Sequence, residues 1–369
     1  MNSSTSVLPN PSKTGKGQRI AYIDLIKVCL TCLVVAHHAA QAYGPTGGVW
    51  VVSDAPKADW MGHFFFINAS FMMGLYFFIS GFFMVYSLKR KTSGDFLVDR
   101  VKRLGIPLLF FTIFVFLPFN YFGSGSDQPI FSFLLDTYLN QPPIAVGHLW
   151  FVASLLVYSL LFLLLFRKKF RAVPNSAVPL KFWYIPVYII VLALISGLVR
   201  LKYPIDVWKT WIIPVEVAHI PQYFSLFLIG TLFNRNGWME QLSLKSGIVY
   251  LILALSTYLL IMWMPASIQQ FWLTGALAES LLCVGISMSF LSFFRHFTTR
   301  TTTFTRLLAE NTFGIYLFHL FIIILLQEML TGWKAGPNLK FIVVTIGGIG
   351  LSLLISYMAR KNRFLRSVL

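Results

Sequence analysis

Ten long runs of apolar residues divide the chain, and short polar segments separate them. Each run is close to the roughly 20 residues that a helix needs to cross the hydrocarbon core of a bilayer. The pattern therefore predicts an all-α, polytopic membrane protein with about ten transmembrane helices. The predicted spans are 20–43, 62–88, 104–122, 147–166, 183–201, 215–233, 247–264, 271–294, 308–330 and 340–359.

The composition agrees with lipid as the solvent of this chain. Of its 369 residues, 57% are hydrophobic and 12% are charged, whereas soluble proteins carry roughly 25% charged residues. A soluble enzyme is therefore excluded. We predict a flexible cytoplasmic tail (1–19), a membrane domain (20–360) and a basic cytoplasmic tail (361–369). The longest connection, 123–146, contains a semi-apolar stretch that could lie in the membrane interface.

The basic residues behind the net charge of +17 are concentrated in alternate loops between the spans. If the N-terminus is cytoplasmic, ten spans return the C-terminus to the same side. The segments on that side then hold 23 of the 30 basic residues, and the opposite loops hold six. Short cytoplasmic loops are enriched in Lys and Arg, so both termini are predicted to be cytoplasmic. Nucleic acid is not needed as a partner to explain the charge.

The first span carries a polar stripe inside an apolar helix. At 100° per residue, Lys27 and His38 return to the same face within about 20° and lie roughly 16 Å apart along the axis. Ionisable groups in a bilayer cost a few kcal/mol each and are functional candidates. A single polar residue of this kind is best explained by a hydrogen bond to a neighbouring helix. Five polar residues on one face favour a functional role instead. The stripe consists of Asp24, Lys27, Thr31, His38 and Gln41, and His37 lies about 80° away from it.

Five sequence elements, in order along the chain, resemble the acyltransferase-3 family of integral membrane O-acyltransferases. In the first, an Asp, a basic residue and a His recur at the family's spacing, with Lys27 where the family has Arg. Lysine keeps the positive charge but not the bidentate geometry. The matching residues are Asp24, Lys27 and His38; Phe77, Phe78, Ser80, Gly81 and Phe82; Arg100, Arg103 and Pro107; His148, Leu149, Trp150, Phe151 and Tyr158; and Gly314, Tyr316, Leu317 and His319.

The resemblance implies acyl transfer from a thioester, commonly acetyl-CoA, to a hydroxyl of a carbohydrate or related envelope or exported acceptor. Acyl-CoA would be a co-substrate, no cofactor would be bound, and the protein would lie in the plasma membrane. Histidine is the side chain best suited to take a proton from a hydroxyl near neutral pH. His38 is therefore the candidate general base, with Asp24 and Lys27 also in the catalytic set. The sequence leaves open whether His37 or His38 carries catalysis, and transient acylation of His38 is an alternative to the direct role.

Basic residues before the third span suggest where the donor binds. Arg100 and Arg103 are three residues apart and share a helical face, and guanidinium groups suit phosphates. We expect them to bind the donor, although interaction with anionic lipid headgroups is an alternative. That alternative is the better reading for Lys89, Arg90 and Lys91.

The candidate acceptor residues lie toward the other side of the membrane. His148 and Trp150 would position the acceptor or anchor the span at the interface, and a Trp ring could stack on a sugar. Tyr316 and His319 would line the cavity or form a buried structural pair. Ser80 and Gly81 are interpreted as a site of close helix packing.

For the other ionisable residues predicted on this side, the sequence predicts a location but no specific role. His63 and His219 are expected at the headgroup boundary. Glu279 must be neutral or paired within the bilayer, and the sequence does not name its partner. The histidines lack the spacing of metal ligands, so no metal is expected.

Two other classes of function remain open from the sequence. A proton-coupled transporter or flippase of a sugar-containing substrate would also place ionisable residues within spans, but the chain shows neither inverted repeats nor matched broken helices. A non-enzymatic partner protein of an envelope-synthesis complex would not need the polar stripe. The acceptor, the acyl chain and the oligomeric state are not encoded in any motif we recognise.

Overall fold

The computed structural model describes residues 20–45, 50–54, 56–139, 146–171, 178–210, 213–298 and 302–369. These residues are predominantly α-helical. A short hairpin interrupts the helices, in which β1 (Trp208–Thr210) pairs antiparallel with β2 (Pro214–Glu216). The predicted tail 1–19 lies outside the described residues.

Within the residues that the structure describes, eight helical segments are long and apolar enough to cross a membrane. This confirms the all-α, multi-pass class. Helices suit a membrane because each satisfies its backbone hydrogen bonds internally in lipid. The segments are α1 (Ala21–Ala40), α2 (Trp60–Arg90), a composite helix over Ser93–Tyr121, Gly147–Arg167 with α7 (Trp150–Arg171), α10 (Leu244–Met262), α12 (Trp272–Phe297), α13 (Thr303–Met329) and α14 (Pro337–Ala359).

Two further helices occupy the fifth and sixth predicted spans. These are α8 (Tyr184–Arg200) and α9 (Ile220–Asn236), each 17 residues long. The sixth span was predicted to begin at residue 215, which is wrong, because β2 and a 3₁₀ turn (Val217–His219) precede α9. The count of ten spans and the cytoplasmic termini stay predictions.

The third predicted span is part of a longer, irregular helix. It consists of α3 (Ser93–Arg100), a π-helical turn (Val101–Gly105), α4 (Ile106–Phe111), a second π turn (Thr112–Phe116) and α5 (Leu117–Ser124). A proline follows each π turn by two residues, at Pro107 and Pro118. Proline removes a backbone donor and crowds the preceding turn, and we attribute the two wider turns to this crowding.

Three short α-helices and a 3₁₀ turn (Met239–Gln241) complete the described chain. The first, α6 (Ile130–Leu139), coincides with the stretch expected at the membrane interface, and its Phe131 side chain is exposed. The others are α11 (Ala266–Gln269) and α15 (Arg363–Val368). Because α15 falls within the predicted basic tail, that segment has helical structure of its own.

Close contact between α2 and α9 forms part of the buried centre. A Cβ atom added at Gly81 would overlap the carbonyl oxygen of Phe227, and one added at Gly230 would overlap that of Phe78. Each helix thus packs backbone to backbone against the other, as small residues permit in membrane proteins. This agrees with the interpretation of Ser80 and Gly81 as a packing site.

Gly81→Ala is expected to lower the free energy of unfolding by about 1–3 kcal/mol, because the added methyl group pushes α2 away from α9. Thermal unfolding of the purified protein in detergent would measure the change. Gly275→Ala in α12 is the matched control, since nothing lies within 4 Å of the added Cβ. Equal stability of the two variants would contradict the close packing.

Candidate active site

The polar stripe of α1 faces α2 over its first half. The Lys27 ammonium group lies 3.1 Å from an Asp24 carboxylate oxygen and 4.8 Å from the centre of the Phe83 ring. One turn later, the Thr31 hydroxyl donates to the Lys27 carbonyl and lies 2.6 Å from the Tyr76 hydroxyl. The stripe is therefore a connected set of polar contacts between two packed helices.

His38 lies near the C-terminal end of α1, with its side chain half-buried. Its Nδ1 atom is 2.9 Å from Oε1 of Gln41. An amide oxygen only accepts hydrogen bonds, so Nδ1 carries the proton in this contact and Nε2 keeps its lone pair. The neighbouring polar residue of the stripe thus sets the tautomer that a general base needs.

The sequence did not predict that an aromatic ring packs on His38. The Trp50 ring stacks on the His38 ring at 5.5 Å between centroids and 17° between planes. The Trp50 indole N–H donates to Gln327 of α13, whose amide nitrogen lies 3.2 and 3.0 Å from the carbonyl oxygens of His38 and Ala39. In the sequence, Gln327 is only an amide side chain near the end of an apolar run. That position does not indicate which residues it contacts.

One more histidine adjoins His38, and a third adjoins that one. The ring centroids of His38 and His319 are 5.3 Å apart, and those of His319 and His148 are 4.8 Å apart. His319 Nδ1 lies 2.6 Å from the Tyr316 carbonyl oxygen, and the Tyr316 hydroxyl donates to the His148 carbonyl. Of the four predicted acceptor residues, the structure thus brings His319 next to the candidate base, with His148 and Tyr316 next to His319. We call His38, His148 and His319 the histidine cluster.

The histidine cluster does not form a recognised metal site. Among the described residues, no group of three or more His, Cys, Asp or Glu side chains is placed to hold a metal ion. The His37 ring meets the His38 ring edge-on at 5.8 Å and otherwise packs against α2, with its ring 5.2 Å from Phe65 and Nδ1 3.4 Å from the Asn68 amide nitrogen.

Trp150 packs in an aromatic group of its own. Its ring stacks on Tyr223 at 5.5 Å and meets Trp208 edge-on at 5.6 Å. Trp208 lies on β1 and is 41% exposed, so an aromatic surface remains accessible beside the hairpin. Trp150 stays a candidate for stacking on a sugar.

A cavity of about 1100 Å³ lies at the opposite end of α1. It receives both predicted donor-binding arginines together with Lys27, so three predicted site residues share one space. The basic residues that line it are Lys27, Arg90, Arg100, Lys102, Arg103, Arg360 and Arg366, and the acidic ones are Asp24, Asp99 and Glu310. We call this space the basic cavity.

Asp99 forms ion pairs with basic residues at the edge of the basic cavity. Its carboxylate lies 2.9 Å from the Lys91 ammonium and 3.2 Å from Nε of Arg103, and the Arg100 guanidinium packs 5.1 Å from the Phe96 ring centre. The π turn that carries Lys102 and Arg103 begins directly after Arg100. Sequence reasoning had assigned Arg90 to lipid headgroups and had not connected Arg360 or Arg366 with the donor.

Glu279 is paired by residues from two other elements. One of its carboxylate oxygens lies 2.7 Å from the Arg200 guanidinium, and the other lies 3.1 Å from Nε2 of His219. Nδ1 of His219 is 2.8 Å from the Glu216 carboxylate. His219, expected at the headgroup boundary, is therefore buried in an ion cluster, because β2 and the following turn direct it toward α12.

The comparison with known families identifies the chain. The sequence pattern of Acyl_transf_3, described as an acyltransferase domain, matches residues 20–359. The chain belongs to the acyltransferase-3 family. Membership of this family is what the five sequence elements predicted.

More specific relatives cover less of this acyltransferase-3 protein. It is 30% identical over 164 residues to glucans biosynthesis protein C of Escherichia coli SMS-3-5, and 29% identical over 164 residues to the protein of that name from strain K12. Each alignment covers 43% of this chain and 42% of the relative. No solved structure matches the chain.

Proposed function

We propose that this protein transfers an acyl group, acetyl in the first instance, from acyl-CoA to a hydroxyl of a carbohydrate or related envelope or exported acceptor. The observation that carries the proposal is the arrangement along α1. Lys27 lines the basic cavity at one end, and His38, with Nδ1 held by Gln41, lies at the other. Eleven residues of helix separate them by about 16 Å.

The basic cavity suits a phosphorylated donor. It has seven basic and three acidic side chains around about 1100 Å³, and Arg–phosphate contacts are short, charge-assisted and often bidentate. An acyl-CoA with its nucleotide in this cavity would extend its thioester along α1 toward the histidine cluster. The acyl group would then pass through the protein rather than on a separate carrier.

The chemistry at His38 follows from its tautomer. Nε2 accepts the proton of the acceptor hydroxyl while the hydroxyl oxygen attacks the thioester carbonyl carbon. The carbon–sulfur bond breaks, and the departing thiolate takes the proton from the imidazolium, which returns His38 to its starting state. Atoms and charge balance without a covalent enzyme intermediate, so direct transfer is preferred to acylation of His38.

A carbohydrate acceptor is supported by two observations. The partly exposed Trp208 beside Trp150 offers aromatic faces near the hairpin, and the relatives that align with part of the chain carry the name glucans biosynthesis protein C. The proposal is tested by adding labelled acetyl-CoA to membranes with and without the protein. Label that enters carbohydrate only when the protein is present supports it, and equal labelling of both membranes contradicts it.

The orientation of the two sites gives a second test. The basic cavity collects helix ends that the distribution of Lys and Arg assigns to the cytoplasm, so we place the donor there and the acceptor on the outer side of the plasma membrane. Proteoliposomes with acetyl-CoA on one side should acylate an acceptor on the other. Acylation confined to the donor's side would contradict transfer across the bilayer.

Arg100→Ala combined with Arg103→Ala is expected to raise the KM for acetyl-CoA by about 10- to 100-fold with little change in kcat, since hydrogen bonds to charged groups contribute about 1.5–3 kcal/mol. Steady-state kinetics over a range of acetyl-CoA concentrations measure both constants. Lys245→Ala combined with Lys361→Ala removes the same charge away from the basic cavity and should leave KM unchanged. A KM equal to that of the parent protein would remove both arginines from the donor site.

A further inference from the structure

The basic cavity has one wall that the family does not account for. The acyltransferase pattern ends at residue 359, yet Arg360 and Arg366 line the cavity together with the Lys102 and Arg103 side chains. Arg366 belongs to α15, beyond the matched region. This wall therefore lies beyond the region that the family pattern matches.

The sequence gives α15 a defined beginning and a buried side. The Asn362 side chain accepts hydrogen bonds from the backbone N–H groups of Phe364 and Leu365, at 2.9 and 3.3 Å, which is typical of a helix N-cap. Val368 is buried, and α15 contacts the π turn Val101–Gly105. The helix is consequently docked against the segment that carries Lys102 and Arg103.

The charge of the cavity depends on this wall. With Arg360 and Arg366 the lining holds seven basic and three acidic side chains, and without them five basic side chains face the same three acidic ones. A nucleotide with a diphosphate and a phosphomonoester carries about four negative charges at neutral pH, because a phosphomonoester alone carries about 1.5 to 2. The side chains of the complete lining carry a net charge of +4, and those of the lining without Arg360 and Arg366 carry +2.

We propose that α15 is part of the donor site and that Arg366 binds a phosphate of the nucleotide portion of acyl-CoA. This inference rests on the proposed function, because it assigns a further binding residue to the same donor. It also specifies the donor class, since a thioester without nucleotide phosphates would leave the α15 wall without a ligand. An anionic phospholipid headgroup offers the same phosphate chemistry and is the competing source.

The test measures the Kd of coenzyme A for the full-length protein in nanodiscs of zwitterionic lipid. Arg366→Ala should raise this Kd by about tenfold, in the range expected for a hydrogen bond to a charged group, and Arg366→Lys should recover part of the loss. Arg363→Ala is the matched control, because Arg363 is an exposed residue of the same helix and does not line the cavity. It should change the Kd by less than twofold.

Each outcome separates this inference from the proposed function. Coenzyme A binding by the parent protein with an unchanged Kd for Arg366→Ala would overturn the role of α15 and leave the donor class standing. Equal weakening by Arg363→Ala and Arg366→Ala would also overturn it, since the effect would then be general electrostatics. A loss seen only in the affinity for vesicles containing phosphatidylglycerol would assign Arg366 to lipid. No binding of coenzyme A to the parent protein would overturn the proposed donor itself.

Discussion

His38→Ala is expected to lower kcat for acyl transfer by about 100- to 10,000-fold, the usual contribution of a general base. The physical reason is that Nε2, freed for proton acceptance by the hydrogen bond between Nδ1 and Gln41, is lost together with the ring. Transfer of label from acetyl-CoA to the acceptor, measured at saturating acetyl-CoA with matched amounts of purified protein, gives kcat directly.

His37→Ala is the matched control for this prediction. It removes the adjacent histidine of the same helix, whose ring packs against Phe65, contacts Asn68 and meets the His38 ring edge-on at 5.8 Å, but which lacks the contact with Gln41 that His38 makes. We expect His37→Ala to keep kcat within a few-fold of the parent protein. Near-normal transfer by His38→Ala, or an equal loss in both variants, would end the assignment of His38 as the base.

Glu279→Ala is expected to lower the free energy of unfolding by about 3–5 kcal/mol, because it leaves Arg200 and His219 buried without their shared carboxylate. The Glu279 and Arg200 side chains are 6% and 11% exposed, so water cannot replace the lost partner. Thermal unfolding in detergent, followed by loss of helical circular dichroism, measures the change.

Two variants test whether burial is the reason. Arg306→Ala breaks the Arg306–Glu310 pair, in which the arginine side chain is 68% exposed, and should cost no more than about 1 kcal/mol. Glu279→Leu combined with Arg200→Met replaces buried charges by apolar groups and should recover most of the stability lost in Glu279→Ala. A Glu279→Ala protein as stable as Arg306→Ala would contradict the buried cluster.

The sequence predicted the elements of this fold better than their lengths. The apolar runs located each of the eight membrane-length helices found in the described part of the chain, since lipid forces the backbone to satisfy its hydrogen bonds within each segment. The beginning of α9 was misplaced because the apolar residues of 215–219 look like helix, whereas pairing of β2 with β1 decides their conformation. The π turns before Pro107 and Pro118 have no hydropathy signal at all.

In the candidate site too, the sequence predicted some contacts and could not predict others. Contacts within one helix could be anticipated, as with the Asp24–Lys27 pair and the His38–Gln41 contact, because residues three apart lie on one face. The partner of Glu279 could not, because Arg200 and His219 reach it from separate elements. Arg366 had been assigned to a tail, and only the docking of α15 places it at the basic cavity.

By itself, the sequence determined that this chain is a helical membrane protein of the acyltransferase-3 family, with a basic group and a histidine three turns apart on one helix. Hydrophobicity and helical period are local properties, so they can be read along the chain. The tertiary structure decided that His319 meets His38 and His148 meets His319, that the Trp50 ring stacks on His38, and that α15 completes the basic cavity. Those contacts depend on which helix faces pack together, as in the close approach at Gly81, and no local pattern specifies that choice.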